Sequence, residues 1–504
     1  MNKFLFNSWI FLFWGVYFSN AQNYIYNFNQ LSIQPDTSIK IFQVTHNPSL
    51  LKYDEDQELL YIKASFFDSE EKIKRYFDPE KINIYQIQFL GKKKIGEKQI
   101  FKGVFGFNKI FRRNWNWIFT KNYDSGNPFL IGDSSAGSST FNAIFFDANY
   151  FNQIFSNSSV GAGIAYFVDE GLKQVSPRPT SQHREIKFTF GLSYSPKKFF
   201  ELALAGIVED KKEEISYKED ESAVYKEVTL LKFRGFDFPV IVKKKTETRV
   251  LYHNNYAITA DVILKPFNSS TLFGRVEKGI EQIVSKEEIT NPKNQGYFQN
   301  DYLKFGLKSE FLFNDKLKNN LSFEYLKSDN WSRHPEFFSL MSEQNQKFTR
   351  LTENIFYNLN DRLITHLGLG FAEFNFNLND YYSNVEFDLK SQLISLQTGL
   401  RLNISNSISL ETNLLFEKYF PKRLTEFYNN SGIYFLNYFK NDLDYFKSKF
   451  NRYKLSFLLT MQLFTGQIIF LIDYSYLKPE KGFIWSNSRN KNINSSIEYR
   501  VKVY

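Results

Sequence analysis

The sequence contains no cysteine, three methionines and five histidines in 504 residues. Disulfides, thiolate metal sites and cysteine-based redox chemistry are therefore excluded. The histidines, His46, His183, His253, His334 and His366, show no ligand spacing, so no metal is expected. No phosphate-cradling glycine loop is present. Gly161-x-Gly163 lies in an alternating run and reads as a strand with small residues. No Pro/Gly/Ser linker divides the chain into domains. The net charge of +9 is spread over mixed signs. Its densest clusters, Lys92-Lys93-Lys94 and Lys243-Lys244-Lys245, read as turn or loop lysines, so no nucleic-acid partner is expected. A nucleophilic serine beside a histidine on one strand face is not offered at His366, because Gly368 stands two residues on. Asp133-Ser134 reads as turn capping in an outer loop. No catalytic residue and no cofactor are expected, and the chain is read as a non-enzyme.

What the sequence has in abundance is aromatic residues, 18% of the total, with 56 Phe and 31 Tyr. Mean hydropathy is nonetheless below zero. Rings in plenty on a polar chain fit a surface with one face in lipid and the other in water. The N-terminus carries Lys3, an apolar stretch from Phe4 to Phe18, and Ser19-Asn20-Ala21. This is the pattern of a secretory signal, with cleavage before Gln22.

The main signal is period-two alternation in segments of about ten residues, the length that crosses a bilayer when tilted. Ile186, Phe188, Phe190, Leu192 and Tyr194 alternate with Glu185, Lys187, Thr189, Gly191 and Ser193. The same pattern recurs at 200–205, 303–313, 321–325, 396–404, 408–416, 453–463 and 497–503. Tight connections such as Ser195-Pro196-Lys197, Asn314-Asp315-Lys316, Asn360-Asp361, Ser405-Asn406-Ser407 and Thr465-Gly466 alternate with long polar ones. The long ones are read at 169–184, 209–250, 284–298, 327–346, 377–392, 418–448 and 478–491. Short periplasmic turns and long outer loops are the expected asymmetry of a transmembrane barrel. Counting back from the C-terminal strand predicts an all-β, single antiparallel barrel of about 18 strands over residues 58–504. The count falls to 16 if Glu58–Phe67 and Lys81–Leu90 are not barrel strands. Residues 22–57 are read as a periplasmic arm or partial plug. Leu455–Ile472 is apolar enough to suggest a membrane helix, but Thr465-Gly466 breaks it and alternation continues on both sides.

The export signal, the alternating strands and the aromatic C-terminal strand resemble Gram-negative outer-membrane β-barrels over most of the chain. The stretch Asn127-Pro128-Phe129-Leu130-Ile131-Gly132-Asp133-Ser134-Ser135-Ala136-Gly137 is similar to a signature of one large uncharacterised family of such barrels. Ala136 replaces the first glycine of its pair. The hairpin Gln86–Gly106 is also similar to that family's opening. The resemblance implies an outer-membrane location, a bilayer environment and a barrel-assembly machine as partner, without implying an activity. The terminal Tyr504 falls out of phase with Tyr499, Val501 and Val503.

The inward charges Glu185, Lys187, Glu201, Lys304, Lys308, Glu310, Glu324, Arg401 and Glu411 are candidate pore-lining groups. A passive or gated channel for small solutes is the first functional expectation, because barrels of roughly 16–18 strands leave an aqueous lumen unless plugged. The alternative is a barrel without an open pore, serving as a surface platform or as an outer-membrane part of a secretion or attachment machine. Its aromatic loop around Phe427–Phe446 would meet a surface or periplasmic protein partner.

Overall fold

A computed structural model describes residues 41–54, 59–121, 123, 125–218, 227–235, 239–267, 270–287, 291–337, 339–428, 441–463, 466–480 and 488–502. The segment read as a signal, the loop core 429–440, Thr465 and Tyr504 lie outside these residues.

The described chain begins with a short helix α1 (Ile41–Thr45) and a 3-10 turn η1 (Pro48–Tyr53). Then come β1 (Leu59–Glu71), β2 (Lys81–Ile95), β3 (Gln99–Ile118), β4 (Ile131–Phe155), β5 (Ser158–Lys173), β6 (Thr180–Lys197) and β7 (Phe200–Lys218). A small hairpin follows, β8 (Val228–Lys232) and β9 (Val240–Lys244). The series continues with β10 (Thr246–Leu264), β11 (Ser270–Glu287), β12 (Lys293–Leu312), β13 (Leu317–Arg333), β14 (Leu340–Asn360), β15 (Leu363–Asp380) and β16 (Val385–Ser405). It ends with β17 (Ile408–Tyr428), β18 (Phe450–Leu463), β19 (Gly466–Pro479) and β20 (Asn490–Lys502).

Each barrel strand pairs antiparallel with its neighbours, β7 passes directly to β10, and β1 pairs with β20 to close the ring. With β8 and β9 set aside, the barrel has 18 strands. The two doubtful N-terminal stretches therefore do mark barrel strands, β1 from Leu59 and β2 from Lys81. Leu455–Ile472 is the β18–β19 hairpin, and no described helix is long and apolar enough to cross a membrane.

Alternation puts one set of side chains outside. Phe188, Phe190, Leu192, Tyr194, Leu202 and Leu204 are exposed on the exterior, while Thr189, Ser193, Glu201 and Ala203 point inward and are buried. Exposure of so many large apolar residues in one belt is explained by lipid. Turn chemistry holds the short connections. Asn314 Oδ1 accepts from Lys316 N at 2.9 Å and Leu317 N at 2.8 Å, and Asn360 Oδ1 accepts from Arg362 N at 2.9 Å.

The long loops need correction. Barrel strands run from 13 to 25 residues, and much of most predicted loops is strand. The connection read at 209–250 is ladder to Lys218 and again from Thr246, and the one at 377–392 shrinks to residues 381–384. Beyond the bilayer the outward side chains meet water, so polarity stops alternating while the backbone ladder continues. Lys212 and Glu214 point out there, and Lys211 and Glu213 point in.

Candidate lumen gate

The lumen is occupied at both ends by the chain itself. At the end that carries Leu59, Lys502 and the short turns, η1 lies inside the barrel against β4, β5 and β6, with α1 packed on η1. Leu50 and Leu51 are fully buried. Leu50 packs with Ile41, Ala203, Ile263 and Phe273, and Leu51 with Phe42 and Phe151.

The wall is shaped for this segment. Gly161 on β5 and Gly191 on β6 are direct cross-strand partners. A Cβ on Gly161 would lie 2.3 Å from the Pro48 carbonyl carbon, and one on Gly191 would lie 2.0 Å from Asn47 Oδ1. The side chain of Asn47 and the backbone of Pro48 and Ser49 rest in the groove that these two missing side chains leave. Asn47 caps η1 by accepting from Ser49 N at 3.1 Å and donates through Nδ2 to Asp261 at 3.2 Å.

Charges complete the clasp. Lys52 pairs with Glu201 at 2.9 Å, and Tyr53 donates its hydroxyl proton to Glu201 at 2.5 Å. Asp54 accepts from Lys102 at 2.6 Å on its carboxylate, and its carbonyl accepts from Lys92 at 2.5 Å. The Arg275 guanidinium donates to the Thr45 carbonyl. Burial, reinforced by the nearby Lys187 and Arg275, pushes His46 down to about 3, so it is neutral at physiological pH.

Above the clasp, the β5–β12 wall carries buried charges. Lys211 lies 3.6 Å from Glu185 and 3.3 Å from Glu209, His253 lies 2.6 Å from Glu281, and Lys304 lies 3.0 Å from Glu277. Removing one member of such a set leaves an unpaired charge in a dry place, a larger loss than the pair's net worth.

The signature stretch sits at the loop end, but only residues 127–130 of it form a loop. Gly132, Asp133, Ser134 and Gly137 stand in β4, and Asp133 is no turn cap in an outer loop. Its carboxylate holds the inward Lys173 at 2.8 Å and 2.9 Å, besides a local bond from Ser135 N at 2.8 Å. Gly132 is small because a Cβ there would stand 2.7 Å from the Trp117 carbonyl oxygen. The stretch Asn127-Pro128-Phe129 folds inward and crosses to the far wall. Asn127 Nδ2 donates to Ser285 Oγ at 3.4 Å, and Arg249 donates to the Phe129 carbonyl at 3.2 Å. Gln344 donates to the Gly126 carbonyl at 3.1 Å. The Phe129 ring fills the space over Gly296, where a Cβ would come within 2.1 Å. The loop thus ties β10, β11, β12 and β14 to β3 and β4. Beneath it is a cavity of about 30 Å³, lined in part by Thr120, His183, Lys211, Glu213 and His253. Around it packs a large apolar cluster that includes Leu231, Phe233, Phe376, Phe387, Leu389, Tyr445 and Phe446.

The predicted inward charges fall into two groups. Glu185, Lys187 and Lys304 belong to the charged wall behind the clasp, and Glu201 is a partner of the clasp itself. Lys308 and Glu310 lie lower on β12, where Glu310 pairs with Lys318 at 2.9 Å. Glu324 pairs with Arg350 at 2.5 Å on the other wall, and Arg401 stands directly across from Glu411 in the β16–β17 ladder. Reading the sequence missed Asn47, Lys52 and Asp54, because their strand partners lie tens to hundreds of residues away. It saw Gly161 as a small strand residue without a reason for the smallness.

The family model of DUF6850, a family of unknown function, matches residues 48–504. The chain belongs to this family. The match covers the barrel together with η1, the part of the clasp that meets Gly161. No curated protein matches the sequence. Among solved structures, the chain is similar to the siderophore receptor PiuA from Acinetobacter baumannii, with 6% identity and a TM-score of 0.44, over 88% of this chain and 82% of that one. It is also similar to OccAB2 from Acinetobacter baumannii, with 11% identity and a TM-score of 0.38, over 90% and 99%. A FadL homologue from Pseudomonas aeruginosa aligns with 9% identity and a TM-score of 0.34, over 92% and 94%.

Proposed function

We propose that this DUF6850 protein is an outer-membrane channel for small hydrophilic solutes, held closed by residues 41–54 and conducting when that segment leaves the wall. The export signal read over residues 1–21 supports a route to the outer membrane, with the short-turn end of the barrel on the periplasmic side. The carrying observation is the clasp. A short stretch lies in a two-glycine groove and is held by ion pairs and hydrogen bonds, contacts that water can replace, together with two small apolar clusters around Leu50 and Leu51. The wall behind it keeps full charges, which a solute path uses and an apolar filling does not.

A second reading draws support from the loop end. The apolar cluster closing that mouth resembles a permanent core and fits a structural barrel that presents surface loops to a partner. Single-channel recording on the folded protein, lacking residues 1–21, separates the two. Rare openings that become frequent in a Gly161→Leu/Gly191→Leu variant support the gated channel. A heat-modifiable, folded barrel that never conducts, with or without those substitutions, supports the platform.

A further inference from the structure

We propose that the outward face of β13–β17 is a docking surface for anionic, phosphate-bearing lipid headgroups. The proposal is independent of the gate. One row of direct cross-strand partners runs across these five strands: Lys327, Lys347, Asn375, Lys390 and Arg423. Four of the five are cations. Their chain neighbours Ser328, Gln346, Phe374 and Leu389 are buried on the inside, so the row lies on the exterior. The side chains of Lys327, Lys390 and Arg423 remain 42%, 42% and 64% exposed.

Like charges directly opposite one another in an antiparallel pair destabilise it. Here this happens twice, at Lys327 against Lys347 and at Lys390 against Arg423. Three carboxylates answer part of the charge: Asp329 at 2.6 Å from Lys327, Glu373 at 2.9 Å from Lys390 and Asp388 at 2.7 Å from Arg423. Lys347 makes no ion pair among the described residues. The row also has a defined height. On the turn side of it the same exterior carries Leu321, Leu351, Phe371, Leu369, Ile394 and Leu396, all part of the exposed apolar belt. A line of cations along the edge of an apolar belt meets lipid at the depth of its phosphates, with acyl chains lying on the belt below. Lysine and arginine there supply charge-assisted hydrogen bonds to phosphate oxygens. A soluble partner would have to approach within the membrane plane.

The test is native mass spectrometry of the purified barrel with phosphatidylglycerol or phosphatidylcholine at equal concentration. Wild type is expected to retain phosphatidylglycerol preferentially, and raising the salt should release it. Lys347→Gln should weaken retention about fivefold, the scale of one interfacial cation. The quadruple variant Lys327→Gln/Lys347→Gln/Lys390→Gln/Arg423→Gln should abolish the preference. A control triple at the turn end, Lys197→Gln/Lys198→Gln/Lys316→Gln, should keep it. Equal retention of both lipids by wild type, or an unchanged preference in Lys347→Gln and the folded quadruple variant, overturns the proposal. So does competition by inorganic phosphate as strong as that by the lipid. Should the quadruple variant not fold, Lys347→Gln and the salt dependence decide the matter.

Discussion

The two ends of the lumen are closed by different physics. At the turn end, residues 41–54 use two glycines, one capped turn, a few charged contacts and two small apolar clusters around Leu50 and Leu51. At the loop end, strand extensions, the crossing loop, the β8–β9 hairpin and a helix at 441–447 bury rings against rings. Phe387 lies 5.7 Å from Phe376 and 6.0 Å from Phe446, centre to centre. Polar contacts trade against water at little net cost, so a closure built from them can open and reform. Apolar burial has no such substitute, and a core once packed stays packed. Under the proposed gating, the smaller and more polar turn end is the moving part and the loop end the anchor.

Four measurements break or sharpen this contrast. The largest effect is expected from Gly161→Leu/Gly191→Leu. Overpacking costs about 1–3 kcal/mol at each site, so the clasp should be displaced and open probability should rise by roughly tenfold to a hundredfold or more. Unchanged conductance in a folded variant would deny the clasp its role as gate. Next, Leu389→Ala at the fully buried loop end should lower stability by about 2–5 kcal/mol in urea unfolding, with channel openings unaltered. Altered gating there would make the anchor part of the mechanism.

The third concerns pH. Asp442, in the helix at 441–447, accepts from Tyr76 N at 2.8 Å, and burial pushes its carboxyl up to about 7 against the partial opposition of Arg75. Asp78 nearby adds to the rise, and Lys74 reduces it. A folded-state value above the unfolded one means that folding favours the protonated form. Its stabilisation is complete below about pH 4 and is lost as pH rises through 7. Protection of the amides over 441–447, taken relative to their intrinsic exchange rate at each pH, should therefore be greater at pH 5 than at pH 8, and Asp442→Asn should flatten the difference. The smallest effect is Lys52→Gln. Its ion pair with Glu201 is one-third exposed on the lysine side, so about 1 kcal/mol and a few-fold rise in open probability are expected. The wild-type opening rate should climb with salt more steeply than that of the variant.

How much could be read without coordinates varied along each strand. Glu185–Tyr194 was legible because lipid on one side and a polar interior on the other force a period of two. Lys211–Tyr217 on β7 was read as loop, because outside the bilayer both faces of a strand accept polar side chains. The signature residues Asn127 and Phe129 were visible as a motif. Their inward course was not, because it depends on Arg249, Ser285, Gly296 and Gln344, more than a hundred residues away.

By itself the sequence determined the class of structure: a cysteine-free, alternating chain that folds as a transmembrane barrel, with a strand count of about 18 or 16. These are local properties, written residue by residue in hydropathy and turn chemistry. The tertiary structure alone decided what fills the barrel. Which cation meets which carboxylate across the lumen, and which glycine leaves room for which backbone, follows from ring closure. That closure brings Gly161 to Pro48 and Asp261 to Asn47, distances along the chain that no local pattern encodes.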